Sequence, residues 1–313
     1  MQWENSSDEC TVKGEDTAKN FRSGYVAIIG RPNVGKSTLL NSVLGEKVSI
    51  VTSRPQTTRR RIIGIRTTRD SQTIFVDTPG FHKPQHTLGE FMVNEARESL
   101  KDADIILFMV EPRSPGLGDT FIIERLKEME KNRPVLLLIN KIDLVKKSEL
   151  LPIMDEYRQC YPFDAIFPLS ALNAEDVKLL VQDVEKRLPH GPQYYPDDVI
   201  TDQYERFVVG EMIREKVMEL TEEEVPHSVA IEIVQWAERE DGMLFLSANI
   251  YIEREGQKGI IIGKGGERLK AIGSAARADI EKFLARKVFM KLWVKVKEGW
   301  RSNTRMLREL GLH

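Results

Sequence analysis

Gly30-Arg-Pro-Asn-Val-Gly-Lys-Ser37 has the spacing GxxxxGK[ST] and runs straight into an apolar stretch, TLLNSVLG. Glycines let backbone N–H groups wrap around phosphate oxygens, and a following helix adds the partial positive charge of its N-terminus. In such a loop Lys36 reaches the β- and γ-phosphates and Ser37 offers its hydroxyl oxygen to Mg²⁺. Gly30, Asn33, Val34, Gly35, Lys36, Ser37 and Thr38 are the candidate phosphate contacts. Asp77-Thr-Pro-Gly80 ends a second apolar run, where Asp77 can hold a Mg²⁺-bound water and the Gly80 N–H can face the γ-phosphate. Asn140-Lys141-Ile-Asp143 follows a third run. An ionised Asp143 accepts two hydrogen bonds from guanine N1 and N2, a pair that adenine lacks, so an ATPase is disfavoured. Ser170-Ala171-Leu172 follows a fourth run and can present a backbone N–H to guanine O6.

A different chemistry is written near the C-terminus. Gly263-Lys264-Gly265-Gly266 precedes the helix-like stretch ERLKAIGSAARADIEKFL. It is no second phosphate loop, because the spacing is one residue short and Gly265 stands where Ser or Thr must follow Lys. It fits IGxxG, a loop that clamps a single-stranded nucleic-acid backbone at a helix N-terminus. Arg268 and Lys270 lie just beyond it as candidate RNA contacts. Charge agrees: from Gly256 to His313 there are fourteen Lys or Arg against five Asp or Glu, a local +9 that leaves −11 of the net −2 for the rest. A basic end on an acidic body points to nucleic acid or a membrane surface.

The elements that must hold these residues can be read from the pattern. At 313 residues, 41% hydrophobic and 30% charged, the chain suits about two folded domains rather than a disordered one. From 25 to 188, apolar β-rich runs (25–30, 62–68, 73–77, 105–110, 135–140 and 165–170) alternate with helix-like stretches such as 37–44, 120–131 and 176–187. That alternation predicts a mostly parallel sheet with helices on both faces. LPHGPQYYPDDVITD (188–202), dense in Pro, Gly and Asp, opens a linker placed at 189–205. Beyond it the order changes to a helix (206–220), strands at 228–236 and 244–254, strand-like residues reaching the glycine loop, a helix pair over 267–285 and a strand at 288–296. This is an α+β arrangement, α-β-β-α-α-β. Residues 1–22 are polar and read as a flexible tail rather than a signal peptide. Cys10 and Cys160 have no partner spacing for a metal or a disulfide framework, which suggests the cytosol. The longest apolar run, 105–110, is too short to span a membrane.

Together the first four motifs resemble the translation-factor-related GTPases over roughly residues 24–188. The resemblance implies a switch at Gln56-Thr57-Thr58-Arg59-Arg60 that senses the γ-phosphate, with Thr58, or else Thr57, joining Ser37 and Asp77 around Mg²⁺. Many relatives carry Gln after DxxG to orient the attacking water, whereas this chain has Phe81. That resembles a subgroup with a hydrophobic residue there and slow intrinsic hydrolysis. Asn33 matches the position that binds a stimulating K⁺ in some relatives, and His82 reads as a surface residue rather than a base. Adding a type II KH domain at 206–313, the chain is similar to the Era GTPases over essentially everything after the tail; KEGW (297–300) and EREGQKG (253–259) look typical of them. A single GxxxxGKS sets aside relatives with two GTPase domains, and the lack of a folate-binding half sets aside the tRNA-modifying relative. The resemblance implies an α/β P-loop GTPase domain at 23–188, a monomer using GTP/GDP, Mg²⁺ and K⁺, binding near the 3′ end of small-subunit (16S) rRNA in 30S maturation, in the cytoplasm with peripheral inner-membrane contact. The other reading is a nucleotide-responsive RNA-binding module with negligible turnover, which Phe81 favours.

Overall fold

The computed structural model describes residues 20–81, 84, 86–129, 133–222 and 225–312. Residues 1–19 of the expected tail, with Cys10, and His82 lie outside the described residues.

The first domain runs β1 (Arg22–Gly30), α1 (Lys36–Leu44), β2 (Ile62–Thr67), β3 (Ser71–Asp77), α2 (Thr87–Lys101), β4 (Ile105–Val110), α3 (Leu117–Glu128), β5 (Val135–Ile139), α4 (Lys147–Cys160), β6 (Ala165–Pro168) and α5 (Ala174–Arg187). Its six strands lie in the order β2-β3-β1-β4-β5-β6, with only β2 antiparallel to its neighbour. Every residue of β4 and β5 is buried, as strands covered on both faces require. Alternation then sorts the side chains. Val26, Ile28, Leu107 and Leu136 point to the α1 and α5 side, whereas Ala27, Ile29, Phe108 and Leu137 point to α2, α3 and α4. The phosphate loop, Asp77, Asn140 and Ser170 thus fall at the C-terminal ends of β1, β3, β5 and β6, where open α/β sheets bind ligands.

The second domain runs α6 (Glu205–Leu220), α7 (Val225–Ser228), β7 (Ala230–Glu238), β8 (Leu244–Ile252), α8 (Glu255–Ile262), α9 (Glu267–Leu284), β9 (Val288–Val296) and α10 (Thr304–Glu309). Its sheet has the order β7-β8-β9, antiparallel then parallel. α6 and α9 pack on one face through Val209, Ile213, Ala276 and Ile280.

Two sequence expectations change here. Residues 255–262 are helix rather than strand, because Gln257 Oε1 accepts from the Glu253 and Arg254 N–H groups and starts a helical turn with Ile261 buried. The helix pair is therefore α8 and α9 on either side of the glycine loop, while 267–284 is one continuous helix. The linker is also anchored. Gln72 bonds the backbone of Tyr194 and Tyr195, and the Ile65 N–H donates to Ile200 O at 2.8 Å, so this segment lies along β2 and β3. Arg22, the last residue of the expected tail, already pairs with Ser71.

Candidate functional site

A cavity of about 490 Å³ opens between the phosphate loop and residues 50–58, and Lys36, Ser37, Thr58, Gly80 and Lys141 are on its wall. At Gly35 φ is +108°, and a Cβ would sit 2.2 Å from Asn140 Nδ2, so both backbone and space demand glycine. Lys36 is buried and donates to the carbonyls of Gly30 (3.3 Å) and Arg31 (3.0 Å). Burial pulls its ammonium down to about 8 against the attraction of Asp77. An anion in the cavity would restore its preference for the charged form.

Three side chains meet beside it. Ser37 Oγ donates to Asp77 Oδ2 at 2.6 Å and lies 3.0 Å from Thr58 Oγ1, which is itself 3.3 Å from the same carboxylate oxygen. Ser49 Oγ donates there too, at 3.0 Å. Asp77 is fully buried, and its Oδ1 has no hydrogen-bond partner. Burial raises its carboxyl despite the Lys36 charge. Two hydroxyls and a carboxylate with one unpartnered oxygen form a hard-oxygen donor set suited to Mg²⁺. Thr57 faces elsewhere: its hydroxyl bonds Thr52 Oγ1 and the Arg54 carbonyl.

On the base side, Asn140 acts as a brace. Its Nδ2 donates to Val34 O at 2.7 Å and its Oδ1 accepts from the Ala171 N–H at 2.8 Å, so one buried amide joins the phosphate loop to the Ser170-Ala171-Leu172 turn. Lys141 donates to Asn33 O and Glu111 Oε1, both at 2.7 Å. Asp143 is exposed in the short helical turn that follows β5 and makes no hydrogen bond among the described residues. Leu172 is exposed as well. Asn33 (φ +65°) donates from Nδ2 to Ser53 O, tying the loop to the segment before the expected switch. Phe81 is buried in the core layer with Ala27 and Ile29, so its ring is part of the packing.

The expected switch segment is held from the second domain. Arg59 is buried, donates to the carbonyls of Val229 (2.5 Å) and His227 (3.1 Å), and lies 5.5 Å from the centre of the Trp300 ring. Burial and neighbouring Arg214 lower its guanidinium to about 9. Arg60 is exposed and rests over Phe207, while Gln56 takes a left-handed φ of +62° and lines the cavity. Arg214, fully buried on α6, donates to Thr57 O and to Glu211. Glu215 accepts from the Val51 N–H (2.9 Å) and Lys47 (2.5 Å). Sequence reading missed Arg214 and Glu215, whose available signal was a charged pair inside the apolar helix VVGEMIREKVM, and gave Trp300, quoted within KEGW, no role.

The glycine loop forms a tight turn between α8 and α9, with φ of +74°, +60° and +83° at Gly263, Gly265 and Gly266. A Cβ at Gly263 would meet Arg268 Cβ at 2.8 Å, while Gly265 and Gly266 face open space. Lys264 and Lys270 are exposed, whereas Arg268 spends one guanidinium nitrogen on Ile260 O at 2.6 Å.

A phosphate loop at the end of a central strand, a base-side turn and a nucleic-acid loop on a separate α+β unit define a P-loop GTPase joined to a KH domain. The family described as 50S ribosome-binding GTPase matches residues 25–141, and the KH domain family matches 224–301. GTPase Era of Clostridium botulinum strain Hall is 52% identical over 292 residues, covering 93% of this chain and 98% of that protein. A crystal structure of Era in complex with MgGDPNP and nucleotides 1506–1542 of 16S ribosomal RNA has a TM-score of 0.90 at 42% identity, over 93% of this chain and 99% of that one. A variant of Aquifex aeolicus Era bound to GDP.AlF4⁻ has a TM-score of 0.89 at 42% identity, with the same coverage of both chains. The chain belongs to the Era family of GTPases.

Proposed function

We propose that this chain binds GTP in the cavity at the strand ends, hydrolyses it slowly, and binds the 3′ end of small-subunit rRNA through the second domain during 30S assembly. Lys36 and the Gly30–Thr38 backbone hold the phosphates, with the Gly80 N–H facing the γ-phosphate, and Asp143 reads guanine, assisted by the Ala171 N–H. Ser37, Thr58 and Asp77 would hold Mg²⁺, which when bound would supply positive charge against the phosphates. The convergence of those three side chains beside buried Lys36 carries the reading. Thr58 is preferred to Thr57 because only its hydroxyl joins that group.

Hydrolysis is slow because Phe81 offers no hydrogen bond to water, and K⁺ at Asn33 accelerates it. Asn33 holds Ser53 O through Nδ2, and its Oδ1, which makes no hydrogen bond among the described residues, would be the ion's ligand. The RNA contact is centred on Gly263–Gly266, Arg268 and Lys270 and is drawn in by the basic terminal block. The protein acts as a cytoplasmic monomer, with a peripheral contact to the cell membrane supported by the same charge. No helix among the described residues is long and apolar enough to cross a bilayer. Multiple-turnover phosphate release tests the enzyme: Lys36→Ala abolishes it, and the wild type runs faster in K⁺ than in Na⁺. Equal rates in the two salts would remove the potassium role alone. For the second domain, Lys264→Asp/Gly265→Asp leaves GTP affinity intact and loses affinity for rRNA 3′-end oligonucleotides. Wild-type RNA affinity in that variant would place the contact elsewhere.

A further inference from the structure

The sheet of the KH domain has a second face that α6 and α9 do not cover. In register across β8 and β9 it carries Phe245 beside Phe289, Ser247 beside Lys291 and Asn249 beside Trp293. Its far end is closed by the C-terminal segment, where Tyr251 packs with Trp300 and Leu307. The remainder is open: Trp293 is 57% exposed, and Lys291 and Lys295 stand exposed on either side of it. Side chains two apart on a strand share a face and are spaced by about 7 Å, so the order is lysine, indole, lysine along one line.

The rings are not equivalent. Phe245 and Phe289 stack on each other (centroids 5.9 Å apart, planes 17°) and are covered by Arg239, 4.7 Å from the Phe289 centre, and by Lys291. Trp293 has no ring, cation or hydrogen-bond partner among the described residues. Neither Lys291 nor Lys295 is in an ion pair among the described residues. The carboxylate within this face, Glu232, is held by Tyr251 Oη (2.6 Å) and Asn249 Nδ2 (2.9 Å), and Lys295 acts on it only through its charge, without an ion pair. Glu238 at the end of β7 and Glu240 and Asp241 in the β7–β8 turn sit at the Phe245 end, away from Lys295.

β9 is an edge strand, and Phe289 borders both this face and the groove of about 490 Å³ that runs from Gly266 past Lys270 between α9 and β9. A strand lying in that groove needs only to pass over the β9 edge to reach Trp293. We propose that this outer face is a second RNA surface, taking single-stranded nucleotides that flank those in the groove. One unpaired base stacks on Trp293, and Lys291 and Lys295 neutralise the phosphates beside it. A lipid surface would call for several apolar side chains projecting together. Here the phenyl rings are stacked and capped by cations, which leaves one free ring, the size of one base.

This inference rests on the groove itself taking RNA, so the test separates the two. Labelled single-stranded oligonucleotides are titrated onto the full chain: one of about four nucleotides, matching a KH groove, and two extended by about six, on the 5′ or the 3′ side. Lys291→Ala/Trp293→Ala/Lys295→Ala, checked for an unchanged Tm, loses about tenfold or more on one extended oligonucleotide and nothing on the short one. Its log–log salt slope on the extended RNA falls by about 1.4, two phosphates at 0.7 each. Trp293→Phe keeps most of the affinity. Unchanged binding of both extended RNAs, or equal losses on short and long, overturns the proposal. So does binding of anionic phosphatidylglycerol vesicles that depends on these residues while RNA binding does not. If instead Lys264→Asp/Gly265→Asp keeps wild-type affinity for the short RNA, it is the groove reading that fails.

Discussion

Asp143 and Asn140 belong to one motif, yet their surroundings predict opposite signatures. Asp143 is exposed and has no protein partner to lose, so Asp143→Asn leaves the melting temperature unchanged. In the proposed role, the acceptor pair that Asp143 would offer guanine is replaced in part by a donor. Sites built to bond a substrate group discriminate by roughly 10⁴ to 10⁵, and GTP affinity falls on that scale while xanthine nucleotides gain. Asn140→Ala breaks the brace between Val34 O and the Ala171 N–H, both in a buried setting. Leaving such groups unpaired costs about 1–3 kcal/mol each, so this variant loses stability as well as GTP. Nucleotide titration beside a thermal melt distinguishes the pair; a destabilised Asp143→Asn would contradict the assignment.

At the scale of elements, α6 and α9 fasten the second domain to the loop after α1. Lys47 bridges Glu215 and Asp279, and Lys216 reaches Asp279 as well. Burial works against ionised Asp279, but hydrogen bonds and charge from Lys47 and Lys216 outweigh it and hold the carboxyl below its usual value of 3.8. A depressed folded-state value contributes stability above the unfolded one and loses it as pH falls through the folded one. Acid melts therefore drop below about pH 4, and Asp279→Asn flattens that drop; an identical acid limb in the variant would rule it out. Glu215→Ala strands the Val51 N–H, costing roughly 1–3 kcal/mol in a denaturant titration at neutral pH.

Over the whole molecule, one segment both lines the nucleotide cavity, through Val51, Thr52, Ser53, Gln56, Thr57 and Thr58, and is held from the KH domain. Arg214 binds Thr57 O, one residue before the hydroxyl that joins Ser37 and Asp77, and Arg59 is pinned under Trp300. A nucleotide that pulls on Thr58 must therefore move or strain contacts of the RNA-binding unit, and coupling of this kind is reciprocal, typically 5- to 150-fold. Arg214→Met keeps the bulk of the side chain and removes its donors. The ratio of RNA affinities with a GTP analogue and with GDP should move toward one in this variant. A ratio equal to the wild type would place the coupling in other contacts.

Much of this was legible in the residues themselves. The six strands of the first domain, the phosphate loop, Asp77, the base-side motif and the glycine loop depend on local periodicity and short spacing, which the chain carries wherever it folds. Ile260–Ile262 misled, because three β-branched residues favour a strand; Gln257 closing on residues 253 and 254, and Ile261 packing under α9, turned the segment into helix. The sequence reading places Thr58 ahead of Thr57 as the metal ligand, but that only the Thr58 hydroxyl meets Asp77, nineteen residues on, is visible in the tertiary structure alone. The linker was read from Pro and Gly, but its anchorage needed Gln72 from β3. Arg214 and Glu215 had no motif to announce them, since their partners across the domain contact lie 157 to 168 residues away in sequence. Which nucleotide chemistry the chain performs was set by neighbours along the backbone. How that chemistry reaches the RNA-binding half was decided by burial of charged groups at a domain contact, a property of distances that no local spacing encodes.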